Sequence, residues 1–174
     1  MAVKRFWMDA NVFMQAQNGL YAMDIAAPFW SFIEEQAEAG RVCSSLLVYN
    51  EILKKEHSGE PLAMWTKLRK NTPLFTDPFK SKTVQSKCQE INDYVIERYH
   101  RQNQAKTDLF LRGADAWLIA HACCDKGIVV AHESRVDPKS KVPKIPNVCT
   151  RFEVECIALP EMLRRLNFRF GGKK

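Results

Sequence analysis

Residues 3–13, with the sequence VKRFWMDANVF, decide the fold, because they predict a first β-strand that ends abruptly in an acid. The strand covers residues 3–8, and Asp9 follows it directly. In open α/β sheets, ligands bind in the crevice outside the carboxyl ends of the strands. Asp9 is therefore the first candidate for a functional residue.

The composition favours one domain with one hydrophobic core. The chain has 174 residues, of which 46% are hydrophobic, and this is enough to bury a sizeable interior. No apolar run approaches the ~20 residues that a membrane-spanning helix needs. The N-terminus lacks a signal-peptide pattern, because only two strongly apolar residues separate Lys4 and Arg5 from Met8. We expect a single cytoplasmic domain over residues 1–174 that has no membrane contact.

The charge of the chain indicates a polyanion as a plausible partner. The net charge is +6 and the isoelectric point is near 9.0. The six cysteines form no CxxC pair, and in a cytoplasmic chain they are expected to be reduced thiols. A zinc site built from His121, Cys123 and Cys124 is disfavoured, because residues one and two apart on a helix do not share a face.

Strands alternating with helices predict a three-layer α/β domain with a central parallel sheet. Residues 128–131 form a short, wholly apolar run, as expected for a buried parallel strand. The segment 61–104 is predicted to be helical, and within it residues 81–102 have the clearest amphipathic pattern. The other predicted elements are helices near 28–37, 46–53, 108–122 and 160–166, strands at 41–44 and 155–158, loops at 73–78 and 134–146, and a basic tail at 167–174.

Four acids occupy comparable positions in this pattern: Asp9, Glu51, Asp115 and Glu133. Asp9 and Glu133 each end a strand, and Asp115 opens a helix that precedes a strand. Strand carboxyl ends and helix amino ends share one edge of a parallel sheet, so these three side chains are expected to converge. Glu51 joins them if its helix leans over that edge.

Crowded carboxylates repel each other, and a hard divalent cation removes this repulsion. Magnesium prefers oxygen ligands and is held by few carboxylates. Two such ions could stabilise the attacking and the leaving oxygen of a phosphodiester. Each acid also has a purely structural interpretation: a strand end for Asp9, a helix-dipole contact for Asp115, a solvated helix position for Glu51 and a surface turn for Glu133.

The chain resembles the PIN-domain ribonucleases, and most closely the VapC-like toxins that carry a long helical insertion, here residues 61–104. The matching segments are DANVF at 9–13, the Ser44-Ser45 start of the helix with Glu51, GADAWLIA at 113–120 and IVVAHE at 128–133. The resemblance implies a PIN-like fold and an RNase that depends on Mg²⁺ or Mn²⁺, with Asp9, Glu51, Asp115 and Glu133 as its acidic quartet. It also implies a compact homodimer and a cognate antitoxin.

The resemblance also assigns supporting residues. Asn11 matches a polar position that orients Asp9, and Ser44 or Ser45 matches a small polar position near the metal. The fourth acid of the family is usually an Asp in a T-x-D setting, whereas this chain has Glu133, one methylene longer. Asp137 is the alternative for this position. His132 contacts a phosphate, acts in proton transfer or orients a loop, and a loop-orienting histidine is the more common case.

The leading hypothesis is the endoribonuclease of a toxin–antitoxin pair. Asp9, Asp115 and Glu133 would hold the metal, and Glu51 would ligate it or orient the attacking water. The basic loop with Lys139, Lys141 and Lys144 would attract the RNA backbone. The alternatives are a PIN-like module that binds RNA or protein without cleavage, and a metal-dependent phosphatase or DNA nuclease.

Overall fold

The structure is a computed structural model, and it describes residues 4–57 and 59–171. Within these residues a five-stranded, all-parallel sheet has the strand order β3-β2-β1-β4-β5. The predicted three-layer α/β architecture with a central parallel sheet is confirmed. The strands are β1 Phe6–Met8, β2 Val42–Ser45, β3 Phe75–Thr76, β4 Ile128–Val130 and β5 Glu155–Ile157.

Helices cover both faces of the sheet. Among the main contacts, α1, α3 and α4 pack against one another, whereas α7 packs against α5, α6 and α8. The strand order reverses direction at β1, so right-handed crossovers place these two groups on opposite faces. The helices are α1 Ala10–Gln17, α2 Ala27–Glu38, α3 Leu46–Lys55, α4 Pro61–Leu68, α5 Lys82–Tyr99, α6 Gln104–Arg112, α7 Asp115–Asp125, α8 Ile145–Arg151 and α9 Leu159–Arg165. None of these helices in the described residues is long and apolar enough to cross a membrane.

The core is centred on β1, the middle strand. Trp7 and Met8 are buried, as are the apolar residues of the neighbouring strand β4. The apolar stripe predicted on residues 81–102 is buried along α5, where it includes Val84, Ile91 and Val95. Because α5 packs on α7, which in turn contacts β1, β2 and β4, the middle segment belongs to the main layers of the fold.

Three sequence predictions differ from the structure. The segment 61–104 was expected to be helical with a loop at 73–78, but Phe75–Thr76 forms edge strand β3 beside β2. The helix expected over 108–122 is two helices, separated at Gly113, whose backbone is extended (φ −83°, ψ −174°). The loop predicted at 134–146 ends two residues earlier than expected, because α8 begins at Ile145 and has a proline in its first turn.

The ends of the predicted elements lie partly outside the described residues. The first strand was predicted from Val3, which the described residues do not include, and within them it covers Phe6–Met8. The predicted basic tail includes residues 172–174, which also lie outside them. Its described part is anchored by aromatic contacts, since the Phe168 ring lies 4.9 Å from that of Phe32 and the Phe170 ring 5.9 Å from that of Tyr21.

Candidate functional site

Asp9 lies at the point where the strand order reverses, between the carboxyl ends of β1 and β4. Its backbone N–H donates to the Val130 carbonyl at 3.0 Å. Its side chain is the N-cap of α1, because Oδ2 accepts a hydrogen bond from the Asn11 N–H at 3.2 Å. The other oxygen, Oδ1, is buried and has no hydrogen-bond partner, although the residue is only 1% exposed.

Burial and a neighbouring acid disfavour the charged form of Asp9. Desolvation, followed by the charge of Glu51, raises the pKa of Asp9 to about 6, and hydrogen bonds from Asn11 and Ala10 oppose the increase. Glu51 is therefore close enough to act on Asp9, as the sequence predicted. The helix that carries Glu51 follows β2 directly, so its first turns lie above the same edge of the sheet.

Asp115 is the third carboxylate of this cluster. It is the first residue of α7, next to the break at Gly113, and it is half-buried. Burial, and then the charges of Asp9 and Glu51, raise its pKa well above the ordinary value, whereas Lys55 lowers it. We refer to Asp9, Glu51 and Asp115 as the acidic cluster.

Glu51 already has a cationic partner. Lys55 lies one turn further along α3, and its Nζ is 2.6 Å from Glu51 Oε1. A glutamate four residues before a lysine is the favourable orientation for such a pair on a helix. The acidic cluster is therefore partly neutralised from within the chain.

Glu133, the fourth predicted acid, lies near Asp9. It is exposed, and with Asp9, Asn11, His132 and Lys144 it lines an open cleft of about 240 Å³. The described residues that line this cleft include neither Glu51 nor Asp115. Asp9 is thus the member that the acidic cluster and the cleft share.

The two predicted serines have structural contacts. The Ser44 hydroxyl donates to the Met8 carbonyl at 2.6 Å and so joins β2 to β1 immediately before Asp9. Ser45 is the N-cap of α3, since its Oγ accepts from the Leu47 N–H at 3.3 Å. Both are buried and hold the start of the helix that carries Glu51.

Asp137, the alternative fourth acid, organises the loop that follows β4. Its Oδ1 accepts from the Lys139 N–H at 3.1 Å, and its Oδ2 lies 3.4 Å from Lys144 Nζ. Its backbone is bound on both sides by the Asn147 amide group. Lys139 and Lys141 are exposed on the same loop, whereas Lys144 is half-buried.

The carboxylates around Asp9 are the candidate ligands for a divalent metal ion. Within residues 4–57 and 59–171, no three His, Cys, Asp or Glu side chains are arranged as a formed metal site. Nevertheless, the unpartnered Oδ1 of Asp9 is a buried hard donor. The charge of Glu51 acts on Asp9, and the charges of Asp9 and Glu51 act on Asp115. Hard oxygen donors whose negative charge is only partly neutralised suit Mg²⁺ or Mn²⁺, so the residues present fit such an ion.

The disfavoured zinc ligands lie apart from this cluster. His121 is buried and stacks on Trp7, with ring centroids 4.3 Å apart. Burial lowers its pKa to about 4. Cys123 is half-buried and Cys124 is exposed on the same helix.

Two residues near the site were not predicted from the sequence. Gln15 lines the cleft one turn after Asn11 on α1, and this spacing of four could have identified it. Lys55 was noted only as part of the basic surface. Its i,i+4 spacing from Glu51 is the sequence signal that could have identified their ion pair.

Fold and site together define an α/β protein with a carboxylate cluster at the strand-order reversal of a parallel sheet. The chain belongs to the DUF4411 family, a domain of unknown function, whose family model matches residues 6–170. No curated protein matches the chain. Since the family description assigns no activity, the site carries the functional argument.

Proposed function

We propose that the protein is a divalent-metal-dependent endoribonuclease that hydrolyses RNA phosphodiester bonds in the cytoplasm as the toxin of a toxin–antitoxin pair. The observation that carries this proposal is the acidic cluster, in which a buried Asp9 oxygen has no partner. The resemblance of the DANVF and GADAWLIA segments to PIN-domain ribonucleases supports the same activity.

In this proposal Asp9, Asp115 and Glu133 hold Mg²⁺ or Mn²⁺, and Glu51 either ligates the ion or orients the attacking water. A bound divalent ion would supply Lewis-acid stabilisation of the charge that develops on the phosphate oxygens. The chain's own contribution is positional. Asp9 is fixed by its cap to α1 and by the hydrogen bond to Val130, and Asp115 is fixed at the start of α7.

The cleft beside Asp9 gives the substrate an approach to this cluster. His132 and Glu133 line one side, and Lys144 lies at the same cleft. Lys139 and Lys141 project from the adjoining loop, where exposed ammonium groups can contact an RNA backbone without reading its sequence. Lys144 forms an ion pair with Asp137, so its main role is to stabilise the loop.

The proposed partners follow from the resemblance. A cognate antitoxin would block the cleft, and the protein would be a homodimer. Co-purification with the protein encoded by the adjacent gene, with loss of RNA cleavage in the complex, would test the first. The mass in solution would test the second.

The decisive experiment is cleavage of a mixed RNA pool by the wild-type protein and by Asp9→Asn, each with Mg²⁺, Mn²⁺ or EDTA. We expect cleavage only by the wild-type protein with metal, and loss of at least about a hundredfold in the variant. Asn retains the oxygen that caps α1, so circular dichroism should show an unchanged fold. Equal cleavage by both proteins would refute the site.

A second candidate is a PIN-like module that binds RNA or a protein partner without cleavage. The exposure of Glu133 favours it. Such a module would bind RNA equally in EDTA and in Mn²⁺, and it would not cleave RNA under either condition. The same assay therefore separates the two functions.

A further inference from the structure

The ion pair between Glu51 and Lys55 has the geometry of a strong contact at a position where a metal ligand is proposed. Lys55 Nζ lies 2.6 Å from Glu51 Oε1, and the Glu51 side chain is only 23% exposed. Lys55 is also the cation whose charge opposes the repulsion at Asp115. One ammonium group thus acts on two of the three carboxylates in the acidic cluster.

This contact engages a Glu51 oxygen that a metal ion would otherwise use. A carboxylate oxygen that is bound to an ammonium at this distance has its lone pairs and its charge engaged by that group. A divalent ion that is to use Glu51 must therefore compete with Lys55. If the ion instead binds only to Asp9 and Asp115, it still experiences the repulsion of the nearby positive charge.

We propose that Lys55 is a resident counter-cation of the acidic cluster, and that a divalent metal ion binds by displacing its ammonium group from Glu51. Lys55 then weakens metal binding and stabilises the metal-free protein. This inference rests on the proposed metal-dependent function and assigns to that site a regulatory residue.

The displacement is feasible because of the length and exposure of the lysine side chain. The Lys55 side chain is 46% exposed, so its ammonium group can rotate into water about a flexible four-carbon stem. An exposed pair of this kind contributes little to stability by itself. We therefore expect the ion pair to affect mainly the charge balance of Glu51 and Asp115, the two carboxylates that Lys55 compensates.

The test is calorimetric titration of metal-free protein with Mn²⁺, in the absence of RNA, for the wild-type protein and three variants. Lys55→Gln removes the ammonium group, and Lys55→Arg retains a positive charge. Lys54→Gln removes the same charge from the neighbouring position of α3, which does not form the pair with Glu51. We expect Lys55→Gln to lower the Mn²⁺ dissociation constant about three- to tenfold, and the other two to remain within about twofold of the wild-type value.

Thermal melting gives a second measurement that does not depend on catalysis. In EDTA, Lys55→Gln should melt below the wild-type protein, because Glu51 and Asp115 lose their compensating charge, and its melting temperature should rise more on addition of Mn²⁺. An equal or weaker Mn²⁺ affinity in Lys55→Gln, with binding retained by the wild-type protein, overturns this inference alone. Absence of Mn²⁺ binding in all four proteins overturns the proposed metal-dependent function, and this inference with it.

Discussion

The two carboxylate oxygens of Asp9 have different surroundings, and this difference allows a structural role for one and the proposed metal-binding role for the other. Oδ2 accepts the hydrogen bond that starts α1, so the side chain cannot rotate freely. Oδ1 is buried without a partner, and such a group is costly unless a ligand satisfies it. The same burial also raises the pKa of Asp9, because it disfavours the charged carboxylate. Positioning by one oxygen and binding by the other is a consistent role for a first metal ligand.

His121 provides a prediction that depends on a single buried group. Its pKa is lowered to about 4 by burial, so the unfolded chain binds a proton that the folded protein does not bind between about pH 6.5 and pH 4. Stability should therefore decrease as the pH falls through this range. We expect the wild-type protein to lose about 2 kcal/mol more than His121→Phe between pH 7.5 and pH 4.5.

Urea unfolding at the two pH values measures this difference. Phenylalanine can stack on Trp7 in place of the imidazole, and it has no counterpart to the unpartnered Nε2 of His121. Because all other titrating groups are common to both proteins, the comparison isolates His121. An equal loss of stability in the two proteins would contradict the assignment.

At the scale of residues, the sequence predicted which acids approach Asp9 where the backbone alone positions them. Asp115 was identified because helix starts and strand ends share one edge of a parallel sheet. The position of Glu133 in the cleft beside Asp9 depends on the path of the loop after β4. That path is set by Asp137, Asn147 and Lys144, and no local pattern encodes such contacts.

At the scale of elements, long periodic segments were predictable and short ones were not. The 18 residues of α5 have a continuous apolar stripe, and all of its buried positions follow that stripe. Strand β3 has only two residues and lies between two prolines, so it has no periodicity to detect. Strand β3 forms because β2 presents an unpaired edge at Ser44 and Ser45. Tertiary contacts, and not the local sequence, therefore determine this strand.

The turn between α7 and β4 gives a prediction for the stability of an element junction. A Cβ added to Gly127 would lie 2.9 Å from the Arg5 carbonyl oxygen and 2.9 Å from Trp7 Cδ1. Because the Arg5 carbonyl oxygen belongs to the backbone, a side-chain rotation cannot relieve this contact. Gly127→Ala should therefore destabilise the protein by about 1–3 kcal/mol.

The neighbouring residue supplies the matched control. Lys126 has a left-handed backbone (φ 55°), which glycine adopts without steric cost. Lys126→Gly should therefore keep or raise the stability, by at most about 1 kcal/mol, although it changes the same turn. Denaturant unfolding of both variants measures the contrast, and similar losses in the two would show that the turn is only generally sensitive to substitution.

At the scale of the whole molecule, charge is distributed unevenly. The chain has 26 Lys and Arg residues against 20 Asp and Glu residues, yet three of the acids are gathered in one cluster. The edge that carries these acids also carries the exposed lysines of the loop after β4. Such an arrangement attracts a polyanion by the lysines and presents carboxylates, with any bound cation, to one of its phosphates.

This arrangement predicts how RNA binding responds to salt. In the Asp9→Asn background, which is expected to bind without cleavage, the logarithm of the affinity for single-stranded RNA should fall linearly with the logarithm of the salt concentration. Replacing both Lys139 and Lys141 with Gln should reduce that slope by about 1.4, since each lost phosphate contact on a single strand contributes about 0.7. Fluorescence anisotropy between about 50 and 200 mM salt covers the range in which the change is measurable.

The control must remove the same charge from another part of the surface. Arg101 lies between α5 and α6, Lys106 lies in the first turn of α6, and both are exposed. Because α5 begins after β3 at the carboxyl edge, its end lies towards the opposite edge of the sheet. The double variant Arg101→Gln with Lys106→Gln should leave the slope nearly unchanged. Equal reductions in both double variants would show that RNA responds to net charge alone, and that the loop after β4 does not direct the backbone to the acidic cluster.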